Sequence, residues 1–262
     1  MVGSMKLWRE AFAALLGVGT LAAGVAVAQG ALVTLHGAAE KAKQIEQRLP
    51  GNRVDATAVT ELHTLLATPN DLTREESMRL REVVRTHASE ARQSLVIAGE
   101  PGDGVSISGM VRDGAGKPIA GALLTIFQTD AKGFYSPLDE ASKRMDEPNS
   151  RIFGFLRTSA DGQYEFRTVR PGGYPFPLKG RAGDRAFVPA HIHFAVEAPG
   201  FVAHTCDTGY TCQIVFADDP RMTPHWQKWA RDLHFPILTL KRDATGILKV
   251  TYDVTLRKDG GR

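Results

Sequence analysis

Beyond Val105 the chain alternates apolar and polar positions. Val105, Ile107 and Gly109 are separated by Ser106 and Ser108, and Tyr164 and Phe166 flank Glu165. Residues 123–127 (Leu-Leu-Thr-Ile-Phe) and 247–252 (Ile-Leu-Lys-Val-Thr-Tyr) are short runs of strand character. Turn signals separate them: Asp113-Gly114-Ala115-Gly116, Asp130-Ala131-Lys132-Gly133 and Asp161-Gly162. Short period-two runs between such turns predict an all-β sandwich or barrel. Upstream the period is helical. Thr73-Arg74-Glu75-Glu76 has the form of a capping box, in which a hydroxyl and a carboxylate satisfy free backbone amides at a helix start. Leu80, Val83, Val84, Ala88, Ala91 and Leu95 then recur at helical spacing. Val59, Leu62, Leu65 and Leu66 form a shorter stripe, separated from the first by Pro69-Asn70-Asp71. The expected layout is a helical region over residues 29–100 and a mainly β domain over residues 101–262. The helices are expected to pack on the β domain. A rival use of the same apolar stripe is a homodimer contact.

The first 28 residues follow a different logic. Met1 to Ser4 read as a vector-encoded extension, with Met5 the natural start. Lys6 and Arg9 precede an apolar run from Ala11 to Ala28 that ends in Ala26-Val27-Ala28. A basic, an apolar and a small-residue segment in that order make a secretory signal. The alternative is a retained membrane anchor, since apolar residues continue to Leu35. Both readings place the body of the protein outside the cytoplasm, periplasmic or secreted, because the positive residues hold the N-terminus inside. Of the 262 residues, 43% are hydrophobic and 23% charged, an ordinary globular balance, and the net charge is +3. The basic residues form no stripe, which argues against nucleic acid as a partner. The two cysteines, Cys206 and Cys212, have five residues between them, one of them a glycine. In an oxidising compartment they are expected to close a short loop as a disulfide. A metal-ligand pair and two inert thiols are the other readings.

Chemistry concentrates in Pro189-Ala190-His191-Ile192-His193-Phe194. On a strand, His191 and His193 share one face and Ile192 and Phe194 the other. Two imidazoles about 7 Å apart along a face can converge on one metal ion. Alone, this pattern is also that of a polar pair on a strand's wet side. Two tyrosines add weight: Tyr135 ends Gln128-Thr129-Asp130-Ala131-Lys132-Gly133-Phe134-Tyr135, and Tyr174 sits in Pro171-Gly172-Gly173-Tyr174-Pro175. Taken singly, each reads as a turn-side tyrosine packed on a sheet.

In order, these motifs resemble the intradiol ring-cleavage dioxygenases, the family of protocatechuate 3,4-dioxygenase and catechol 1,2-dioxygenase. The resemblance runs from about residue 105 to 256. It begins with Gly109-Met110-Val111-Arg112-Asp113 and Gly116-Lys117-Pro118-Ile119-Ala120-Gly121-Ala122. The tyrosine segments and the histidine pair follow, then Cys212-Gln213-Ile214-Val215-Phe216 and Arg242-Asp243-Ala244-Thr245-Gly246. It implies an intradiol-dioxygenase-like β-sandwich with an N-terminal helical region. It also implies a non-haem Fe(III) held by Tyr135, Tyr174, His191 and His193. By the same resemblance, Tyr174 would be the axial tyrosinate that takes a substrate proton, and Gln213 a polar catalytic neighbour. The implied reaction cleaves a catecholic ring between its two hydroxylated carbons, with O2 as co-substrate. The ligand set makes physical sense, because a phenol ionises near pH 10 unless a strong local charge acts on it. A trivalent ion is such a charge. One position departs from the family pattern. Val188 stands where the family carries an arginine three residues before the first histidine, with Arg170, Arg181 and Arg185 nearby in sequence. Two alternatives follow: the same iron site acting on a bulkier or non-catechol phenolic substrate, or a non-catalytic β-sandwich binding module.

Overall fold

The computed structural model describes residues 35–49, 55–135, 149–175, 187–209 and 211–260. The signal or anchor expected over residues 1–28 lies outside them, as do Arg181 and Arg185. Among the described residues three helices come first: α1 (Ala38–Glu46), α2 (Ala56–Ala67) and α3 (Arg74–Thr86). The strands are β1 (Arg92–Ser94), β2 (Gly104–Asp113), β3 (Leu123–Gln128), β4 (Ile152–Arg157), β5 (Gln163–Val169), β6 (Tyr174–Pro175), β7 (Phe187–Val188), β8 (His191–Glu197) and β9 (Cys212–Phe216). After helix α4 (Pro224–Asp232) come β10 (Ile237–Leu238), β11 (Lys241–Arg242), β12 (Leu248–Thr251) and β13 (Val254–Leu256).

Two sheets face each other. One has the order β1-β5-β2-β12-β11, with β13 also on β2, and the other β10-β9-β8-β3-β4. Alternation decides which side chains enter the space between them. Val105, Ile107, Phe166 and Leu248 of the first sheet meet Leu124, Ile126, Ile192, Phe194, Ile214 and Phe216 of the second. The fold is thus mainly β, as the sequence pattern requires.

The second sheet is also covered on its outer face, so its strands are apolar on both sides. Leu62, Leu65 and Leu66 of α2 and Leu80 and Val84 of α3 form a second apolar layer with Phe127, Phe153 and Val215. Side chains pin this layer to β4, an edge strand whose outward carbonyls need donors. His63 Nε2 donates to the Phe153 carbonyl at 2.8 Å. The buried Arg81 donates to the Ser150 carbonyl, with its guanidinium 3.8 Å above the Phe153 ring. Helix α3 begins with the expected capping box: Thr73 Oγ1 accepts the Glu76 amide, and the Glu76 carboxylate accepts the Thr73 amide.

One helical expectation fails. The stripe extrapolated to Ala91 and Leu95, but α3 ends at Thr86 and residues 92–94 pair with β5 as a strand. The Leu95 amide donates to the Arg167 carbonyl, and the side chain is fully buried in the sandwich core. A sheet edge with open hydrogen bonds captures this segment, overriding a helical spacing that it met by coincidence.

Candidate metal centre

Strand β8 carries the centre. Its antiparallel neighbours place Phe127 and Gln213 opposite His193 and Val215 opposite His191. Ile192 and Phe194 point into the sandwich, so His191 and His193 point out towards the helical layer. Both are buried. The site therefore lies on the covered face of the second sheet, not on the rim of the sandwich.

The two tyrosines arrive on neighbouring loops. Asp130 Oδ1 accepts the Lys132 and Phe134 amides at 2.8 and 3.0 Å and curls residues 130–134 into a tight turn. Tyr135 follows, and its carbonyl accepts the Arg151 amide. The second loop is fastened to the first: the Gly172 amide donates to the Asp130 carbonyl, and Thr129 Oγ1 donates to the Gly172 carbonyl at 2.7 Å. Tyr174 then pairs with Val188 in the β6–β7 ribbon.

Four side-chain atoms converge. Tyr135 Oη lies 3.3 Å from His191 Nε2 and 3.1 Å from His193 Nε2. Tyr174 Oη lies 3.4 Å from His191 Nε2, and the two Nε2 atoms are 3.3 Å apart. First-row metal ions bind nitrogen and oxygen at about 2.0–2.2 Å, which sets neighbouring donors roughly 3–3.5 Å apart. The donor spacing fits one shared ion.

The protonation chemistry agrees. Nδ1 of His191 faces the Pro189 carbonyl at 2.9 Å, an acceptor only, so Nδ1 keeps the proton and Nε2 presents a lone pair. Burial lowers the His191 pKa to about 4 and holds His193 well below the ordinary range, with His191 the lesser cause for the latter. Both rings are therefore neutral near pH 7, as ligation requires. Two neutral rings with their Nε2 atoms at 3.3 Å need a cation or a donated proton between them. A further polar atom, Gln213 Oε1, is buried without a hydrogen-bond partner among the described residues.

A second cluster is closed to metal. His204, Cys206 and Cys212 hold their donor atoms within 4.8 Å of one another, but the sulfurs are joined as a disulfide. Of the arginines near Val188 in sequence, Arg170 is committed to Asp218 at 2.7 and 3.1 Å. Val188 itself is buried with the helical layer. Two contacts escaped sequence reading. Phe127 stacks on the His193 ring at 4.3 Å and 10°, and Thr211 Oγ1 lies 2.8 Å from His193 Nδ1. Strand alternation was a usable signal for Phe127. None existed for Thr211.

Comparison with known proteins identifies a family for the chain. A protein-family model described as dioxygenase matches residues 82–258. Catechol 1,2-dioxygenase 1 of Acinetobacter lwoffii is 33% identical over 151 residues, which are 54% of this chain and 45% of that protein. The protocatechuate 3,4-dioxygenase beta chain of Burkholderia cepacia is 31% identical over 173 residues, 63% of this chain and 69% of that one. The crystal structure of catechol 1,2-dioxygenase from Pseudomonas arvilla C-1 aligns with a TM-score of 0.52 at 24% identity, covering 66% of this chain and 58% of that one, a likeness of fold. The chain spans about half the length of the curated catechol 1,2-dioxygenases that it matches, 45% and 50% for two of them.

Proposed function

We propose, from the premise that this chain belongs to the intradiol ring-cleavage dioxygenase family, that it is an exported iron(III) enzyme. It uses O2 to cleave catecholic rings between their two hydroxylated carbons. The observation that carries this reading is the convergence of Tyr135 Oη, Tyr174 Oη and His193 Nε2 on His191 Nε2, at 3.3, 3.4 and 3.3 Å, with Tyr135 Oη also 3.1 Å from His193 Nε2. These four would hold the iron. Bound there, a ferric ion supplies Lewis acidity, which ionises phenols and draws electron density from an aromatic ring. Two phenolates and two neutral imidazoles suit that ion, because hard anionic oxygens favour the higher charge.

The chain's own groups do the rest. The Pro189 carbonyl holds the His191 tautomer, and Phe127 holds the plane of His193 by stacking. Tyr174 Oη is the base that receives a hydroxyl proton from the substrate. Gln213, beside His193 with an unsatisfied buried oxygen, offers the polar contact that orients the reacting ring. The helical layer keeps bulk water from the covered side. The N-terminal signal pattern and the Cys206–Cys212 bridge support export.

A second reading keeps the site and changes the substrate to a bulkier or less acidic phenolic compound. Val188 favours it, because an apolar, buried side chain stands where a cation would stabilise ring charge. A visible spectrum tests the first reading. The iron-loaded protein is expected to show a broad tyrosinate-to-iron band that moves to longer wavelength when catechol is added, with O2 uptake. A weakened and shifted band in Tyr135→Phe and in Tyr174→Phe, and its loss when both are replaced together, supports the ligand set. A protein that retains iron yet stays colourless refutes it. Uptake with larger phenols but not with catechol selects the second reading.

A further inference from the structure

The β8–β9 ladder starts at the His191–Val215 pair and ends at the Phe194–Cys212 pair. Thr211 is the next residue, so the ladder does not place it. Thr211 is nonetheless buried, with its hydroxyl 2.8 Å from His193 Nδ1. The loop that begins at Cys206 places it. A 3-10 turn spans Cys206–Thr208, and Gly209 then turns the chain at φ 70°. Thr208 Oγ1 donates to the Thr211 carbonyl at 2.8 Å and accepts the Thr211 amide at 3.2 Å. The Cys206–Cys212 bridge closes the loop, with its Cα atoms 5.0 Å apart.

The two histidines of the centre thus differ in what holds them. Nδ1 of His191 meets a carbonyl, which accepts only. Nδ1 of His193 meets a hydroxyl, which either donates or accepts. Nε2 of His193 is a ligand only when Nδ1 carries the proton, and therefore only when Thr211 accepts it. A hydroxyl that drifts or reverses its bond favours the wrong tautomer. We infer that Thr211 is a positioning residue for His193, and that the Cys206–Cys212 bridge acts on the metal centre through it. The inference rests on the ligand set proposed above. Partners of ligating histidines that hold the tautomer change metal affinity by about 10–100-fold.

The test measures how fast a chelator strips iron from the loaded protein, followed by decay of the visible band, with no turnover involved. Thr211→Val removes the acceptor and is expected to strip at least about 10-fold faster than wild type. Thr211→Ser keeps a hydroxyl and is expected to stay within about 3-fold. Cys206→Ala combined with Cys212→Ala opens the loop and is expected to speed stripping in the same direction. The triple variant is expected to match Thr211→Val alone, because residues acting through one contact are not additive. Full additivity overturns the inference, as does a Thr211→Val protein that strips at the wild-type rate. If Thr211→Val fails to fold, the cysteine pair decides: unchanged stripping overturns the proposal, and faster stripping supports it. A wild-type protein that takes up no iron refutes the ligand set itself, and the inference falls with it.

Discussion

Gly133 lies where the two tyrosine loops touch, and replacing it separates two effects that usually mix. Its φ is +91°, in the region that residues with a side chain avoid. A Cβ built there meets the Gly173 carbonyl oxygen at 2.4 Å, one residue before Tyr174. Carbon–oxygen contacts normally stand at about 3.3–3.6 Å, so the loops must part by roughly 0.9 Å or more. The left-handed conformation costs about 1–2 kcal/mol, and overpacking adds about 1–3 kcal/mol. A central value of about 3.5 kcal/mol lowers the melting temperature by roughly 7–14 °C in a domain of this size. Gly116 is the control. Its φ is +82°, yet a Cβ there has nothing within 4 Å. Gly116→Ala therefore reports the backbone cost alone, about 1–2 kcal/mol. Parting the loops also moves Tyr174 Oη away from Tyr135 Oη and the histidines, by more than the ~0.5 Å that a functional geometry tolerates. Gly133→Ala is expected to hold iron at least about 10-fold more weakly than Gly116→Ala, by the measured scale for disturbed metal surroundings. Circular-dichroism melts and chelator competition measure the two quantities. If Gly133→Ala melts with Gly116→Ala and binds iron as tightly, the close approach of the loops does not set the ligand geometry.

Two further outcomes concern the surroundings of the centre. Burial lowers the His63 pKa from 6.5 to about 4, with Arg81 a lesser cause. The folded state resists the proton that the unfolded chain accepts, so this stability is full above pH 6.5 and is lost as pH falls towards 4. Between pH 6.5 and 5 the loss from His63 is about 2 kcal/mol. Urea titrations of the metal-free protein at pH 7 and pH 5 should show a smaller drop for His63→Gln, and equal drops would remove His63 as the source. Arg151 and Glu100 form an ion pair at 2.5 and 2.7 Å, with side chains 6% and 2% exposed. Arg151→Met leaves a buried carboxylate alone and is expected to cost about 3–5 kcal/mol, partly recovered by adding Glu100→Gln. If the double variant melts below the single one, desolvation does not govern the pair.

What the sequence determined by itself was everything local. Period-two alternation decides that His191 and His193 share a face and that Ile192 and Phe194 enter the core, whatever the rest of the chain does. The Asp130 turn, the Thr73 capping box and the closeness of Cys206 and Cys212 follow from residues within a few positions of each other. The family resemblance added the candidate set Tyr135, Tyr174, His191, His193 and Gln213. Tertiary structure alone decided what meets across long separations. It brought Tyr135 to histidines 56 and 58 positions away, and it laid the helices over the histidine face. It drew Leu95 out of a helical stripe and into the sandwich, because an open sheet edge offered hydrogen bonds that the helix end did not. Thr211 reaches His193 through a closed loop beyond the end of a ladder, a contact that no spacing along the chain encodes. Short-range rules fix the direction of a side chain, whereas its partner depends on how the whole chain distributes its buried surface and its hydrogen bonds.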